Sequence, residues 1–249
     1  MAQENKIFIF SDIDDTIIQT ARKTDFNRDS NVWAYDRENN PLSYIYSGVE
    51  KLIKLILNSQ DISFIPTTAR NIASYQRTIF FRDKRVKSKI KFVILNFGAT
   101  ILIDNIISKE WDREIKDGYK NLKYPLKTLY QEIELAINKY HPIIKIVDNY
   151  YINIINKSNR NNQEINQNIR DIITKVTPLN QYYIHNNGSS FAIIPKFLNK
   201  KFALEYLIER EKPILTIGAG DNRSDLDFMS QTDFLLIPKN SYNAKILSQ

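Results

Sequence analysis

Aspartates that directly follow two distant apolar segments are the residues of this sequence most suited to chemistry. Asp12 and Asp14 follow the run 7–10 (IFIF), and Asp221 follows the run 214–218 (ILTIG). Short apolar runs of this kind predict buried strands, and ligands of open α/β sheets bind beyond the carboxyl ends of the strands. Carboxylates are rarely buried without a partner. One acidic turn alone would suggest only a solvated surface, whereas two such strand ends predict one shared acidic site.

A hydroxyl and an ammonium group complete this set. The run 62–67 (ISFIPT) predicts a strand that leads into Thr68, and Lys200 opens a helical pattern. The three carboxylates supply hard oxygen ligands of the kind that Mg²⁺ prefers, together with water and substrate phosphate. Thr68 and Lys200 would bind the remaining phosphoryl oxygens. This combination is typical of phosphoryl transfer, which depends mainly on positioning and charge neutralisation.

Several charged residues near these segments allow other interpretations. A lysine at the start of a helix is most often exposed, so Lys200 is a candidate ligand only because the other groups accompany it. Lys201 is an alternative ligand, since helix boundaries predicted from sequence shift by a residue or more. We interpret the other polar candidates as surface, packing or structural residues, namely Arg70, Arg223, Asp227, His141 and His185.

Apolar periodicity predicts alternating helices and strands around the candidate site. Helical spacing predicts a helix over 48–58, and Asn71 is a suitable N-cap for a helix over 72–81. Further strands are predicted at 92–95, 100–104, 191–195, 214–218 and 234–238. This alternation is typical of an α/β fold with a Rossmann-like parallel sheet as its core and helices on the faces of the sheet.

The composition changes between residues 105 and 186, which are rich in Asn, Lys, Ile and Tyr. Within this block, helices are predicted over 122–137 and 163–175, and a hairpin is predicted from the IIKIVD and YINII segments. We therefore predict a core domain formed by residues 1–104 and 187–249, into which residues 105–186 are inserted as a small α+β cap domain.

Residues 19–47 are predicted to form a long polar loop. Connections of this length are usually functional or disordered. The aromatic residues of the segment favour an ordered flap packed near the acidic site, and these residues are Phe26, Trp33, Tyr35, Tyr44 and Tyr46.

Composition restricts the function further. The 249-residue chain is 43% hydrophobic and contains no cysteine, which excludes disulfides, thiolate metal sites and cysteine nucleophiles and fits a reducing compartment. Residues 1–6 lack the apolar region of a secretion signal, and no apolar run approaches membrane-spanning length, so we expect a cytoplasmic protein without a membrane partner. The net charge is +7, but the basic residues are dispersed and no RNA-binding signature is present, so no nucleic-acid partner is expected.

Four segments resemble, in order and spacing, the signatures of haloacid dehalogenase superfamily phosphatases. Residues 12–16 (DIDDT) match DxDx[TV], with Asp at the position that is usually glycine. Residues 68–70 (TAR) resemble TGR, 200–204 (KKFAL) resemble KGxAL, and 220–225 (GDNRSD) resemble GDSxND with Ser224 in place of Asn. The VILNFGATI segment and the position of the insertion resemble the sugar-phosphatase branch with a type 2 cap, which includes Cof and sucrose-phosphatase-like proteins.

The resemblance implies a role for each matched residue. Asp12 would attack phosphorus and form an aspartyl-phosphate, and Asp14 would act first as general acid and then as general base. Mg²⁺ would be the cofactor, held by the carboxylates of Asp12 and Asp221 and by the backbone carbonyl of Asp14. The other matched residues would surround these groups, with Thr68, Ala69 and Lys200 on the substrate phosphate, Asp225 beside the metal or Lys200, and Ser224 in the outer shell of the metal.

The resemblance predicts a small phosphorylated metabolite as substrate, foremost a sugar phosphate selected by the inserted unit acting as a lid. The same site would also serve a phosphotransferase or mutase, because the acceptor decides the fate of the aspartyl-phosphate. A catalytically silent member of the superfamily that acts as a binding protein is a further alternative. The DIDDT segment also resembles the acid motif of class II terpene cyclases, but those proteins are all-helical and longer, whereas here the motif follows a strand.

Overall fold

The structure of the chain is a computed structural model that describes residues 6–20, 30–157 and 160–248. The described residues divide into two compact units. The core unit comprises Met1–Asp112 with Asn199–Gln249, and the inserted unit comprises Arg113–Leu198. Within the part of the chain that the structure describes, no helix is both long enough and apolar enough to cross a membrane.

The strands and helices of the described residues are named in chain order. The strands are β1 (Ile7–Ser11), β2 (Gln19–Thr20), β3 (Ser30–Tyr35), β4 (Pro41–Tyr46), β5 (Ile62–Pro66), β6 (Phe92–Leu95), β7 (Thr100–Ile103), β8 (Ile106–Ile107), β9 (Ile143–Val147), β10 (Tyr151–Ile155), β11 (Tyr182–Asn187), β12 (Ser190–Pro195), β13 (Leu215–Ala219) and β14 (Phe234–Leu236). The helices are α1 (Ser47–Asn58), α2 (Ile72–Tyr75), α3 (Ile79–Arg82), α4 (Lys84–Lys87), α5 (Lys109–Lys120), α6 (Leu126–Ile137), α7 (Gln163–Val176), α8 (Lys200–Glu211), α9 (Leu226–Met229) and α10 (Tyr242–Leu247).

The centre of the core unit is a parallel sheet with the strand order β14-β13-β1-β5. Strand β1 is almost entirely buried because its residues are nearly all apolar. Its last residue, Ser11, lies opposite Ala219 of β13 and Pro66 of β5, so the three strands end at one level. A further parallel bridge joins Thr67 to Ile94. The predicted Rossmann-like parallel core is confirmed.

The inserted unit is built around an antiparallel sheet with the strand order β11-β12-β10-β9. Helices α6 and α7 place a row of isoleucines, among them Ile133, Ile169 and Ile173, against the sheet residues Ile152 and Ile193. The predicted helices and the predicted β9–β10 hairpin are present. An α+β insertion in a parallel core therefore describes the architecture correctly.

The boundaries of the inserted unit differ from the predicted 105–186. Residues 105–112 belong to the core unit, where β8 pairs with β7. The strand at 191–195, predicted to belong to the core sheet, lies instead in the inserted unit as β12, where it pairs antiparallel with β10 and β11. Its apolar residues are buried because β12 is a central strand, and an apolar run does not reveal whether such a strand is parallel or antiparallel.

The described parts of 19–47 form a small antiparallel sheet, with the strand order β2-β4-β3, and the predicted long loop is therefore wrong there. Trp33 is buried in the core of the unit, and its ring meets that of Phe80 edge-on at 5.1 Å. The Asp36 carboxylate accepts backbone hydrogen bonds that close the β3–β4 turn, a common turn device of aspartate. The hairpin was not predicted because the segment is mostly polar and lacks a regular apolar alternation. Phe26 lies outside the described residues.

The helix predicted over 72–81 is divided into α2 and α3. Asn71 caps the first helix as predicted, because its side chain accepts a hydrogen bond from the Ser74 N–H at 3.0 Å. The break falls at Thr78, whose backbone is extended and whose hydroxyl donates to the Tyr75 carbonyl at 2.7 Å. Thr78 also forms an antiparallel bridge with Ala34, so a tertiary contact interrupts the local helical pattern.

Candidate active site

Backbone hydrogen bonds join the loops that follow three neighbouring strands. The N–H of Asp12 donates to the Ala219 carbonyl at 2.9 Å, and the N–H of Thr67 donates to the Ser11 carbonyl at 2.7 Å. Asp12 therefore lies immediately beyond β1, between the segments that leave β13 and β5. This is the position at which open α/β sheets bind their ligands.

Lys200 bridges two carboxylates in the interior of the core unit. Its Nζ donates to Asp12 Oδ1 at 2.7 Å and to Asp225 Oδ1 at 2.8 Å. Only 8% of Lys200, 6% of Asp12 and 3% of Asp225 is exposed. Burial by itself lowers the pKa of Lys200, but the two carboxylates outweigh that effect and raise the pKa well above its usual value. Lys200 is therefore a permanently charged group that fixes one oxygen of Asp12.

A third carboxylate completes an acidic cluster. Asp12, Asp221 and Asp225 each offer an oxygen, and these oxygens lie within 4.8 Å of one another. The Thr16 hydroxyl donates to Asp221 Oδ1 at 3.2 Å. Burial, followed by repulsion from neighbouring aspartates, raises the pKa of Asp221 to about 6. Burial also raises the pKa of Asp12, although Lys200 opposes the shift.

The donor set of this cluster fits Mg²⁺. Carboxylate oxygens are the hard ligands that Mg²⁺ prefers, and a site for it commonly combines one or two carboxylates with water and phosphate. Burial, and after it repulsion from neighbouring aspartates, raises the pKa of both Asp12 and Asp221, so their ionised forms are unfavourable here, and a divalent cation would stabilise them. Both carboxylates that the sequence resemblance assigns to the metal belong to the cluster.

Thr68 and Ala69 form the turn that follows β5. Thr68 is buried, and its N–H donates to the Ile94 carbonyl at 2.9 Å. Its hydroxyl oxygen accepts a hydrogen bond from the Arg70 N–H at 3.2 Å. Because β5 is the direct neighbour of β1, this turn lies at the same edge of the sheet as Asp12.

The second aspartate of the DIDDT segment has a different partner. Arg70 Nε donates to Asp14 Oδ2 at 2.7 Å, and Arg70 Nη2 donates to Asp14 Oδ1 at 2.6 Å. Arg70 is therefore not the helix-surface residue that was one of the two interpretations, but a largely buried partner of Asp14. Arg70 follows the same strand end as Thr68, and that position was the available signal. Asp12 and Asp14 are thus held by a lysine and an arginine respectively.

Comparison with known proteins shows the fold of the chain. No protein-family model matches it, and a search of curated proteins finds no match. The sucrose-phosphatase from Synechocystis sp. PCC6803, solved with sucrose and phosphate, is 13% identical, with a TM-score of 0.55 and coverage of 98% of this chain and 87% of that one. The C-terminal domain of C. albicans trehalose-6-phosphate phosphatase is 12% identical, with a TM-score of 0.59 and coverage of 91% and 73%. The IMP-nucleotidase of Plasmodium falciparum is 17% identical, with a TM-score of 0.57 and coverage of 96% and 60%.

This chain has the haloacid dehalogenase fold. The four sequence motifs and the structural matches agree on it over nearly the whole chain. Identities this low establish a shared fold and leave the chemistry to be judged from the residues of the site.

Within this haloacid dehalogenase fold, some of the predicted site residues contact the acidic cluster and others do not. Lys200 contacts the acidic cluster. Lys201 instead pairs with Glu205 one turn later in α8, with 3.7 Å between Lys201 Nζ and Glu205 Oε1. Ser224 is exposed in the turn that contains Asp225. The other polar candidates lie apart from the cluster contacts described above, with Arg223 and Asp227 exposed in the core unit and His141 and His185 in the inserted unit.

Gly98, in the VILNFGATI segment, positions the start of α8. Its φ is +97°, and a Cβ added there would lie 2.3 Å from the Asn199 carbonyl oxygen and 2.8 Å from the Lys200 backbone nitrogen. The Gly98 carbonyl accepts a hydrogen bond from the Trp111 indole at 2.9 Å. The turn after β6 therefore contacts the start of α8 closely, which fixes the backbone that carries Lys200.

The loop after β13 is held by Gly220, the first residue of the fourth signature, and by Asn243, which the sequence alone did not reveal. A Cβ at Gly220 would lie 2.5 Å from the Asp225 Cβ, so only glycine permits this close approach. The N–H of Asn243, in α10, donates to the Asp221 carbonyl at 3.0 Å, and its side chain donates to the Asn222 carbonyl at 2.8 Å. The C-terminal helix thus stabilises the loop that presents Asp221, a long-range contact without a local sequence signal.

Proposed function

We propose that this protein is a Mg²⁺-dependent phosphatase that hydrolyses a small phosphorylated metabolite, foremost a sugar phosphate, through an aspartyl-phosphate on Asp12. The observation that carries the proposal is the fixed and buried Asp12 carboxylate. Lys200 holds its Oδ1 at 2.7 Å, while Oδ2 lies 3.5 Å from the Thr16 hydroxyl. A contact of that length is weak, so the lone pairs of Oδ2 are available for attack on phosphorus.

Hydrolysis requires two displacements at phosphorus. In the first, Asp12 Oδ2 bonds to phosphorus while the bond to the leaving oxygen breaks, and Asp14 donates a proton to that oxygen. In the second, Asp14 takes a proton from water, and the water oxygen attacks phosphorus. Inorganic phosphate leaves and the Asp12 carboxylate is regenerated.

Lys200 and Thr68 would hold the phosphoryl oxygens during both displacements. The Lys200 ammonium has three N–H donors, of which two are used on Asp12 and Asp225. The third is available for a phosphoryl oxygen. We place Mg²⁺ on the carboxylates of Asp12 and Asp221 and on the backbone carbonyl of Asp14. When bound, Mg²⁺ polarises the phosphoryl group and offsets its charge.

Discrimination between substrates is assigned to the inserted unit as its specificity cap. The core residues bind only the phosphoryl group, which every phosphate monoester carries. The inserted unit is rich in Asn, Tyr and Lys, side chains that hydrogen-bond sugar hydroxyls. The names of two structural neighbours, a sucrose-phosphatase and a trehalose-6-phosphate phosphatase, favour the same class of substrate.

A panel of phosphate esters with Mg²⁺ tests the proposal through release of inorganic phosphate. The panel contains sugar phosphates, nucleoside monophosphates, a phosphopeptide and p-nitrophenyl phosphate. The expected result is a sugar phosphate with the highest kcat/KM. Preferred hydrolysis of the phosphopeptide or of nucleotides would contradict the substrate class.

The variant Asp12→Asn tests the chemistry, because an amide retains the shape of the carboxylate without its nucleophilicity. We expect loss of turnover in a variant that still folds, as a retained cooperative unfolding transition would show. Near-normal turnover by this folded variant would refute the assignment of the nucleophile. Transfer of phosphate to an added sugar instead of water would identify a phosphotransferase, and tight binding without turnover would identify a silent binding protein.

A further inference from the structure

We propose that Arg70 is the positioning residue for Asp14, and that it orients this carboxylate for proton transfer in both displacements. The inference rests on the proposed phosphatase function. It concerns a residue outside the four roles of nucleophile, acid–base, phosphate ligand and metal ligand.

The geometry of the pair is that of a bidentate clamp. Arg70 donates one hydrogen bond to each oxygen of Asp14, at 2.6 and 2.7 Å. Two parallel N–H···O bonds to a carboxylate fix the plane of the group as well as its distance. A lysine at the same position would hold the carboxylate by a point charge without fixing the plane.

Arg70 is itself anchored at several atoms. Its Nη1 donates to the Ser74 carbonyl at 3.2 Å, and its backbone N–H donates to Thr68 Oγ1 at 3.2 Å. Its carbonyl accepts a hydrogen bond from the Asn96 N–H at 2.9 Å. The exposed fraction of the side chain is 11% for Arg70 and 39% for Asp14. A buried and anchored guanidinium therefore presents a carboxylate that substrate and water are able to reach.

This orientation has a chemical purpose in the proposed reaction. Proton transfer needs the acid or base within hydrogen-bond reach of the reacting oxygen, and preorientation removes the entropy cost of finding that geometry. Asp14 follows Asp12 by only two residues, and its backbone forms a β-bridge with Ile18. The remaining freedom therefore lies in its side-chain torsions. The Arg70 clamp removes that freedom.

Two substrates separate a positioning role from a role in binding. The nitrophenolate of p-nitrophenyl phosphate leaves without a proton, so formation of the aspartyl-phosphate from it is insensitive to Asp14. A sugar phosphate has a poor leaving group and requires the acid. Hydrolysis of the aspartyl-phosphate requires the base with either substrate. Loss of oriented Asp14 therefore produces different kinetics with the two substrates.

The experiment is stopped-flow and steady-state kinetics of Arg70→Met and Arg70→Lys with Mg²⁺, beside Asp14→Asn. For Arg70→Met we expect a burst of about one nitrophenolate per site, followed by turnover that is slower by about 10²-fold. With the sugar phosphate we expect a similar loss in kcat, without a burst and with little change in KM. Arg70→Lys should retain part of the kcat that Arg70→Met loses. In the double variant with Asp14→Asn, Arg70→Met should cause no loss of kcat beyond that of Asp14→Asn alone.

The matched control is Arg85→Met, which removes an arginine whose side chain is 91% exposed and should leave all rates unchanged. Wild-type kinetics of Arg70→Met would overturn the inference. A raised KM for both substrates without a burst would also overturn it, because Arg70 would then bind substrate. If Arg70→Met does not fold, the same burst is measured with Arg70→Lys. Absence of a burst in Arg70→Lys, together with an equal loss of kcat on both substrates, would contradict a positioning role.

Failure of this inference differs visibly from failure of the proposed function. Turnover in wild type that disappears in Asp12→Asn supports the phosphatase whatever Arg70 does. Absence of turnover in wild type, or persistence of turnover in Asp12→Asn, removes the proposed function on which the inference rests.

Discussion

The interiors of the two units differ in charge. In the core unit, Asp12, Lys200 and Asp225 are buried together, whereas the hydrophobic cluster of the inserted unit is formed by apolar and aromatic side chains such as Ile133 and Tyr182. Burying charges is costly unless they are paired, and removing one partner costs more than the pair contributes. The buried charges of the core unit are those of the proposed site, whereas the described interior of the inserted unit is an apolar and aromatic cluster.

Among the variants that test this difference between the units, Lys200→Met should give the largest effect, because it removes the proposed phosphate ligand and the partner of two carboxylates. We expect kcat to fall by about 10²- to 10³-fold, as for loss of a transition-state hydrogen-bond donor. Without the ammonium, repulsion from Asp225 adds to burial in raising the pKa of Asp12, so the folded state binds more protons than the unfolded state. Stability should therefore fall as the pH rises, and the unfolding temperature of the variant should be lower at high pH than at low pH.

The control for this change is Lys201→Met, at the next position of α8. Lys201 lies beside Glu205 on the helix surface, and its removal should leave kcat and the pH dependence unchanged. Equal losses in the two variants would contradict the distinction between a buried functional lysine and a surface lysine.

Ile133→Ala should destabilise the inserted unit without a direct effect on chemistry. Ile133 is fully buried in the cluster of that unit. Loss of such a side chain costs about 2–5 kcal/mol, measurable as a shift of the denaturant midpoint. Leu135→Ala, in the same helix but 80% exposed, should have almost no effect. A loss of kcat on p-nitrophenyl phosphate in folded Ile133→Ala would weaken the separation between the two interiors.

Metal removal should make the ionised carboxylate of the partly buried Asp221 unfavourable for folding. Its pKa in the folded state is about 6, against 3.8 as its ordinary value. Folding therefore favours the protonated group, so its contribution to stability is complete below the lower value and is lost as the pH rises through the higher value. Mg²⁺ should raise the unfolding temperature more at about pH 7.5 than at about pH 5, because protons compete for the ligand.

Asp221→Asn should remove most of this Mg²⁺ effect and should stabilise the protein in chelator at the higher pH. The exposed Asp61→Asn serves as the control with an unchanged response. A Mg²⁺ effect that is independent of pH and of Asp221 would place the cation elsewhere.

Asp15→Gly should have the smallest effect and a stabilising sign. Asp15 has a φ of 66° and occupies the position that is usually glycine in the signature that residues 12–16 resemble. A left-handed conformation costs residues other than glycine about 1 kcal/mol, and removal of this carboxylate also relieves repulsion on Asp221. A slightly higher unfolding temperature is expected. A marked decrease in the unfolding temperature would show that the Asp15 side chain has a structural role that outweighs the relief of backbone strain and of repulsion.

The sequence predicted the parallel core because each strand of β1, β5 and β13 is a short apolar run that ends in polar residues of a distinctive kind. It did not predict the β3–β4 hairpin, whose residues alternate irregularly between polar and aromatic types. The strand β12 was placed in the wrong sheet, since burial on both faces leaves the same apolar pattern in either sheet.

The site residues also differ in whether the sequence alone predicted their roles. Asp12, Asp221 and Lys200 follow from motifs, because a local segment carries each of them. Arg70, Gly98 and Asn243 act through contacts with segments far away in sequence. Arg70 and Gly98 lie in segments that the sequence analysis recognised. A local pattern does not name the distant residues that such a group contacts, so these roles required the structure.

Direct detection of the phosphorylated residue tests the central claim most directly. Asp14→Asn is mixed with p-nitrophenyl phosphate and Mg²⁺, quenched in acid within the first turnover, digested and analysed by peptide mass spectrometry. Because the second displacement lacks its base in this variant, we predict one phosphoryl group on Asp12 in nearly every molecule, and none after the same treatment of the Asp12→Asn, Asp14→Asn double variant. Release of nitrophenolate without a phosphoryl group on Asp12, or with the group on another residue, would contradict the account.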